Sequence, residues 1–276
     1  MAARSYGQHS AVVAALELVG ERWALLIVRD LLVGPRRYTD LKTGLPRIPT
    51  NILSTRLKEL QQAGVVRRLP LAHGLGYMLT DYGRDLEPVI LALGRWGFRA
   101  LGERADGENA TTESLTIDLR SAFHADAARA LPATTYGVHV GNVALIVLVD
   151  AGVLTVRTAA PSAALSAPLA AVGVPSVQRV SGVTGVLVAD LVVMADDVCS
   201  LLAGEWQTGT TTLRVLAGDA RLLTRFSATF QLEREPAASV ETTASALRVS
   251  VAVRVGETPS HPASPSGRRG RATYYI

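Results

Sequence analysis

The stretch from Thr50 to Ala63 constrains the fold most, because it reads as one strongly amphipathic helix with a hairpin directly behind it. With residues placed about 100° apart, Ile52, Leu53, Leu57 and Leu60 share one apolar arc. Asn51, Thr55, Lys58 and Gln62 face the other way, with Ser54 beside them. Pro46 and Pro49 bracket a turn ahead of this helix, and Gly64 closes it. Val65–Leu69 and Gly76–Thr80 then read as two short strands joined by a glycine-containing loop. A helix this amphipathic needs other helices to cover its leucines. Periodicity supplies them: helices over 9–19 and 22–33, the second stopped by Gly34-Pro35, and a short one to Gly44 with Thr39 as its N-cap. Another covers Tyr82 to Leu101. Helices, a hairpin wing and a closing helix, with a tight turn before the amphipathic one, are the layout of a winged helix-turn-helix over residues 1–104.

The pattern changes after that. Residues 105–113 are polar and read as a linker, and 114–232 alternate helix and strand. A helix is expected over Leu115–Ala130, strands near 135–140, 143–149 and 153–158, and a stretch of low information over 159–182. A strand near 186–194, a helix over Asp196–Ala203, a strand near 211–215 and a helix over Asp219–Phe230 complete an α+β domain. Residues 233–276 have Ser-Pro and Arg-Gly clusters and read as a mostly disordered tail. The fold class is therefore multidomain α+β.

Charge is divided along the same lines. Residues 1–104 hold 15 Lys and Arg against 9 Asp and Glu, a net of +6, whereas 105–232 carry a net of −4. The basic end is where a polyanion would be drawn. The most apolar stretch, Val143 to Val156, is broken by Asp150 and Gly152 and is too short for a membrane span. No leader-like segment opens the chain, so the cytoplasm is the expected compartment, with no membrane partner. The single cysteine, Cys199, excludes an intrachain disulfide and a cysteine-based zinc site. His9, His73, His124, His139 and His261 are scattered one per element, so no metal site is expected. Asp196-Asp197 reads as helix capping, and no phosphate-cradling glycine loop or nucleophile elbow is present. We expect no catalytic residues, no cofactor and no enzyme activity.

The polar side of the Thr50 helix carries the chemistry that a major groove asks for. Short polar side chains near the N-terminus can bond base edges, and a cation can follow further along. Thr50, Asn51, Ser54, Thr55 and Lys58 are the candidate base readers: Asn51 suits adenine, Ser54 or Thr55 a base or thymine methyl, and Lys58 either phosphate or guanine. Arg36 and Arg37, in the turn before the third helix, with Lys42, Arg47, Arg67 and Arg68, flank this side and are candidate phosphate contacts, a term that weakens with salt. Surface arginines also merely solubilise, and any amphipathic surface helix turns polar residues outward. Arg56 points toward the apolar side and reads as a structural ion-pair partner.

Specific strings extend the reading. Leu16-Glu17-Leu18-Val19-Gly20-Glu21-Arg22-Trp23, Gly34-Pro35-Arg36-Arg37-Tyr38-Thr39-Asp40-Leu41 and Ile52-Leu53-Ser54-Thr55-Arg56-Leu57 occur in order. Ala63-Gly64-Val65-Val66, Tyr82-Gly83-Arg84 and Leu93-Gly94-Arg95-Trp96-Gly97 follow them. In these residues the chain resembles the HxlR family of winged-helix regulators over about 5–102. The resemblance implies a homodimer joined through the first and last helices of the domain, with the fourth helix of each subunit in a major groove of double-stranded DNA. Two departures stand out. Ser10-Ala11 occupy the place where many relatives carry Cys-Pro, so thiol sensing by that route is excluded. The wing tip, Pro70 to Gly76, lacks the arginine that many relatives place there.

More faintly, Leu187–Val193, Leu201-Leu202-Ala203-Gly204-Glu205 and Leu213-Arg214-Val215 with Gly218-Asp219 resemble SCP2-like sterol-carrier domains. That resemblance implies a cavity for a hydrophobic small-molecule effector; a filled core serving as dimerisation or spacer domain is the other reading. Two function classes stay open. One is a dimeric, sequence-specific DNA-binding regulator modulated through its second domain; the other is a lipid or small-molecule binding protein whose basic N-terminal domain serves mainly for dimerisation. Salt-dependent binding to duplex DNA separates them.

Overall fold

The computed structural model describes residues 5–72, 74–102, 104–159, 189–203 and 213–233. The expectations for 160–188 and for the tail beyond 233 lie outside the described residues. The first half runs α1 (Ala11–Val19), α2 (Ala24–Val33), β1 (Arg36–Arg37), α3 (Tyr38–Gly44), α4 (Thr50–Gln62), β2 (Val66–Leu71), β3 (Gly74–Leu79), α5 (Asp81–Arg84) and α6 (Glu87–Phe98). The second runs α7 (Thr112–Ala122), α8 (Ala125–Arg129), β4 (Thr134–Val140), β5 (Val143–Asp150), β6 (Val153–Thr158), β7 (Leu191–Ala195), α9 (Val198–Leu202), β8 (Arg214–Gly218) and α10 (Leu222–Thr229).

Three local expectations are corrected. Arg36 and Arg37 form a short strand against the wing, pairing Arg36 with Tyr77 and Arg37 with Gly76, and are not in a plain turn. The cap of α3 is not Thr39: the helix starts at Tyr38, and the Asp40 carboxylate accepts the Arg37 N–H at 2.9 Å. The two long helices expected at 82–101 and 115–130 are each broken. In the first, Leu86 caps a new helix whose opening turn holds Pro88, a position where the missing N–H costs nothing. In the second, Phe123 turns extended to bridge Phe230, their rings 5.7 Å apart, and only tertiary structure supplies that partner.

Two positions explain how the helix and the wing fit together. Gly64 ends α4 at φ +71°, a left-handed conformation that favours glycine. Gly83 lies so close to the wing that a Cβ would sit 2.1 Å from the Val65 carbonyl oxygen. Between them Thr80 Oγ1 donates to Gly64 O at 2.6 Å and accepts the Gly83 N–H at 3.0 Å.

Two apolar clusters result. The first gathers Val28, Leu31, Leu41, Ile48, Leu53, Leu57 and Leu79; the second gathers Leu115, Tyr136, Val147, Val193, Phe226 and Phe230. The second lies against a five-stranded sheet of order β6-β5-β4-β7-β8, antiparallel except for the β4–β7 pair. Alternate residues of β5 (Val143, Leu145, Val147, Val149) are buried, as a one-sided core requires. The clusters share helices. Ile90 of α6 and Ile117 of α7 belong to the first, while Phe98 of α6 and Leu115 and Leu119 of α7 belong to the second.

Candidate nucleic-acid interface

The anchoring of α4 begins with its leucines. Leu53, Leu57 and Leu60 are at most 1% exposed, and each contributes about 1.5–3 kcal/mol relative to full exposure. Tyr38 fixes the start of the helix from α3: its hydroxyl donates to Thr50 O at 2.9 Å and lies 3.3 Å from Ser54 Oγ. Nothing in the sequence pattern singled out Tyr38, because its partners lie across the intervening turn. Arg56 pairs with Glu21 at 3.0 Å and with Glu59, the structural role expected of it.

With the apolar arc held, Thr50, Asn51, Ser54 and Lys58 are exposed. The side chains of Asn51 and Lys58 have no hydrogen-bond or ion-pair partner among the described residues. The hydroxyls are engaged locally, Ser54 donating to Thr50 O at 3.1 Å and Thr55 to Asn51 O at 2.9 Å, and Thr55 is half-buried. Each hydroxyl oxygen retains acceptor capacity.

The cations divide into two groups. Arg36 pairs with Glu113 of α7 at 2.7 Å, so its guanidinium already has a carboxylate partner. Lys42 is likewise occupied, donating from Nζ to Pro46 O at 3.1 Å and Ile48 O at 2.7 Å, so it locks the α3–α4 turn. Arg68 lies over the Tyr77 ring at 5.5 Å, with Nη2 3.3 Å from the Tyr77 hydroxyl. Arg37, Arg47 and Arg67 have no ion pair among the described residues, and Arg47 and Arg67 are exposed.

Beside Arg36 lies a small charged node. Asp30 is buried in α2, accepts from Arg29 at 2.9 and 2.7 Å, and leaves Oδ2 without a hydrogen-bond partner among the described residues. Burial raises its pKa, with Arg29 opposing the shift. A Cβ on Gly44 would come within 2.9 Å of that oxygen, so α3 ends directly against the node. Elsewhere an apolar stripe is left uncovered: Val89, Leu93 and Trp96 on one face of α6, with Trp96 73% exposed, and Val12 and Leu16 on α1.

Helices α2 to α4 with the β1-β3-β2 wing and a closing helix define a winged helix-turn-helix protein. Residues 18–105 match the HxlR-like helix-turn-helix family. The chain is 36% identical over 85 residues to the HTH-type transcriptional regulator YvaP of Bacillus subtilis, covering 30% of this chain and 79% of that protein. It is 45% identical over 86 residues to an HTH-type transcriptional regulator of Mycobacterium tuberculosis, covering 30% of this chain and 54% of that one. The chain thus spans about half the length of the mycobacterial relatives it matches. A solved structure of the reduced transcriptional regulator YodB from B. subtilis is 29% identical, covers 36% of this chain and all of that one, and has a TM-score of 0.31. The chain belongs to the HxlR-like helix-turn-helix family.

Proposed function

We propose that this chain is a sequence-specific, double-stranded DNA-binding transcriptional regulator that works as a homodimer and responds to a small molecule through its second half. The observation that carries the reading is the outward side of α4, where Asn51 and Lys58 stand exposed and, among the described residues, unpartnered on a helix whose leucines are fully buried. A helix held by one edge, with donors and a cation on the other, suits a major groove. Thr50, Ser54 and Thr55 complete the base-reading set, and Arg37, Arg47, Arg67 and Arg68 the phosphate set; Arg36 and Lys42 are left out because other partners hold them. The uncovered stripe on α1 and α6 supports the dimer, since apolar residues at i, i+4 and i+7 otherwise face water.

In this reading residues 1–104 bind DNA, 105–113 connect, and 114–232 respond to the effector. An SCP2-like assignment of the second half is supported by its layered sheet and helices. Tyr136, Phe226 and Phe230 fill the space between those layers edge to face, which favours an effector site at the margin of the layers over one between them. The test is selection of duplexes from a random pool by the purified protein. Enrichment of a palindrome with half-sites about one helical turn apart supports a dimeric reader. Absence of any enriched sequence, with binding independent of salt, would overturn the proposal.

A further inference from the structure

A half-open cavity of about 290 Å3 lies among residues 101–102, 104 and 108–110, α7, the β4–β5 turn and the start of α9. We propose that this cavity binds a small protonated organic amine with an apolar body, and that Asp118 of α7 receives the ammonium group.

The walls set the sign of the ligand. Four carboxylates, Asp118, Asp196, Asp197 and Glu108, line it against one guanidinium, that of Arg104. Part of this set is already engaged: Asp197 accepts the Ser200 N–H at 2.7 Å, and Glu108 accepts the Ala105 N–H at 3.3 Å. Arg104 donates one N–H to Glu108 O at 3.2 Å, and its single positive charge is outnumbered by the carboxylates. Asp118 differs from the rest. It lines the cavity and accepts no hydrogen bond from any described residue. Burial pushes its carboxyl up to about 6, and Arg29 of α2 draws it partly back.

A half-buried carboxylate to which no described residue donates is poorly solvated, and an ammonium supplies both the countercharge and three N–H groups. Leu101, Ala110, Val140 and Val198 provide apolar wall for the body, while Asn109 and Asn142 offer polar atoms at the same site. Among the described residues no group of three His, Cys, Asp or Glu is placed to hold a metal ion, which favours an organic cation over an inorganic one. The volume sits at the small end for ligand sites, suited to one ring or a short chain and not to a sterol.

The same helix reaches the DNA-binding half. Glu113 holds Arg36 at the foot of α3, Arg120 donates to Leu32 O at 3.3 Å and to Glu87 at 3.2 Å, and Ile117 enters the first core. An amine on Asp118 therefore acts on a helix that both cores grip, and it shifts DNA affinity to the extent that it favours one placement of α7. This regulatory role rests on the DNA-binding reading above; the binding site does not.

The test is calorimetry on the full chain with benzylamine, 2-phenylethylamine and n-hexylamine, against 2-phenylethanol and 3-phenylpropionate. We expect saturable one-to-one binding of at least one amine with Kd below about 1 mM, and none of the alcohol or the acid. Asp118→Asn should weaken the amine by at least about tenfold. Gly102→Trp, whose added side chain starts in open space at the cavity wall, should block it without lowering the melting temperature. Silence with all three amines up to about 5 mM overturns the proposal. So does equal binding of the alcohol, or unchanged amine binding in both variants. Mobility of a duplex in the same samples is read separately, so loss of DNA binding with amine binding intact counts against the regulator reading alone.

Discussion

Asp118→Asn should make the protein more stable at neutral pH, although it deletes a charge. Burial moves this carboxyl from 3.8 to about 6, with Arg29 opposing the shift. An acid whose pKa rises on folding holds its proton more tightly in the folded state. Stability therefore falls as pH climbs from about 4 to about 6, and above that the full penalty stays in place. At about 1.36 kcal/mol per pH unit the ceiling is about 3 kcal/mol. Water in the open cavity screens part of that, leaving about 1–2 kcal/mol. Asparagine keeps the shape and loses the charge, so the variant should gain that amount at pH 7.5, or roughly 3–6 °C in Tm. At pH 5 the gain should shrink by about half, because the folded parent is then largely protonated. Urea melts followed by circular dichroism at the two pH values measure both numbers. A variant no more stable than the parent at pH 7.5, or a gain that grows as pH falls, would refute the reasoning. The same result bears on the cavity: a variant that is better folded yet fails to bind amines has lost a ligand contact and not its structure.

Three further outcomes are expected. Leu57→Ala should cost about 2–5 kcal/mol in urea melts, since the side chain is 1% exposed in the middle of α4's anchoring edge; a cost well under that range would mean the helix is held by something else. Gly83→Ala should lower stability by about 1–3 kcal/mol, because its Cβ would meet the Val65 carbonyl at 2.1 Å and the wing must shift; an unchanged melt contradicts that packing. Trp96→Glu should leave the melting of a dilute monomer intact while raising the dimer dissociation constant at least about tenfold in sedimentation; an unchanged constant removes the α6 stripe from the interface.

The elements that were legible in both halves of the fold are those whose signals are local. Leu53, Leu57 and Leu60 fall on one arc of a regular helix and are buried together, with Ile52 half-buried at the margin. Gly64 ends that helix where a glycine is expected, and β5 alternates buried and half-buried residues down its length. What stayed hidden depends on partners distant in sequence. Arg36 and Lys42 look like neighbouring surface cations, yet one answers to Glu113 and the other to carbonyls of the next turn. The break at Phe123 follows from Phe230, which no window around residue 123 contains. The cavity was invisible for the same reason, since Asp118, Glu108 and Asp197 come from separate segments with unrelated patterns. Nor did the polar run at 105–113 show that α7, which starts within it at Thr112, would serve both cores.

The most direct measurement is the affinity of Asn51→Ala for a selected duplex and for a scrambled one, each across a salt series. We expect the parent to favour the selected duplex by about 10³-fold or more, and the variant to lose about 10- to 100-fold of that preference with its scrambled-duplex binding intact. Arg47→Ala should instead weaken both duplexes alike and flatten the salt slope by about one. If Asn51→Ala holds the selected duplex as tightly and as selectively as the parent, the outward side of α4 is not what reads DNA.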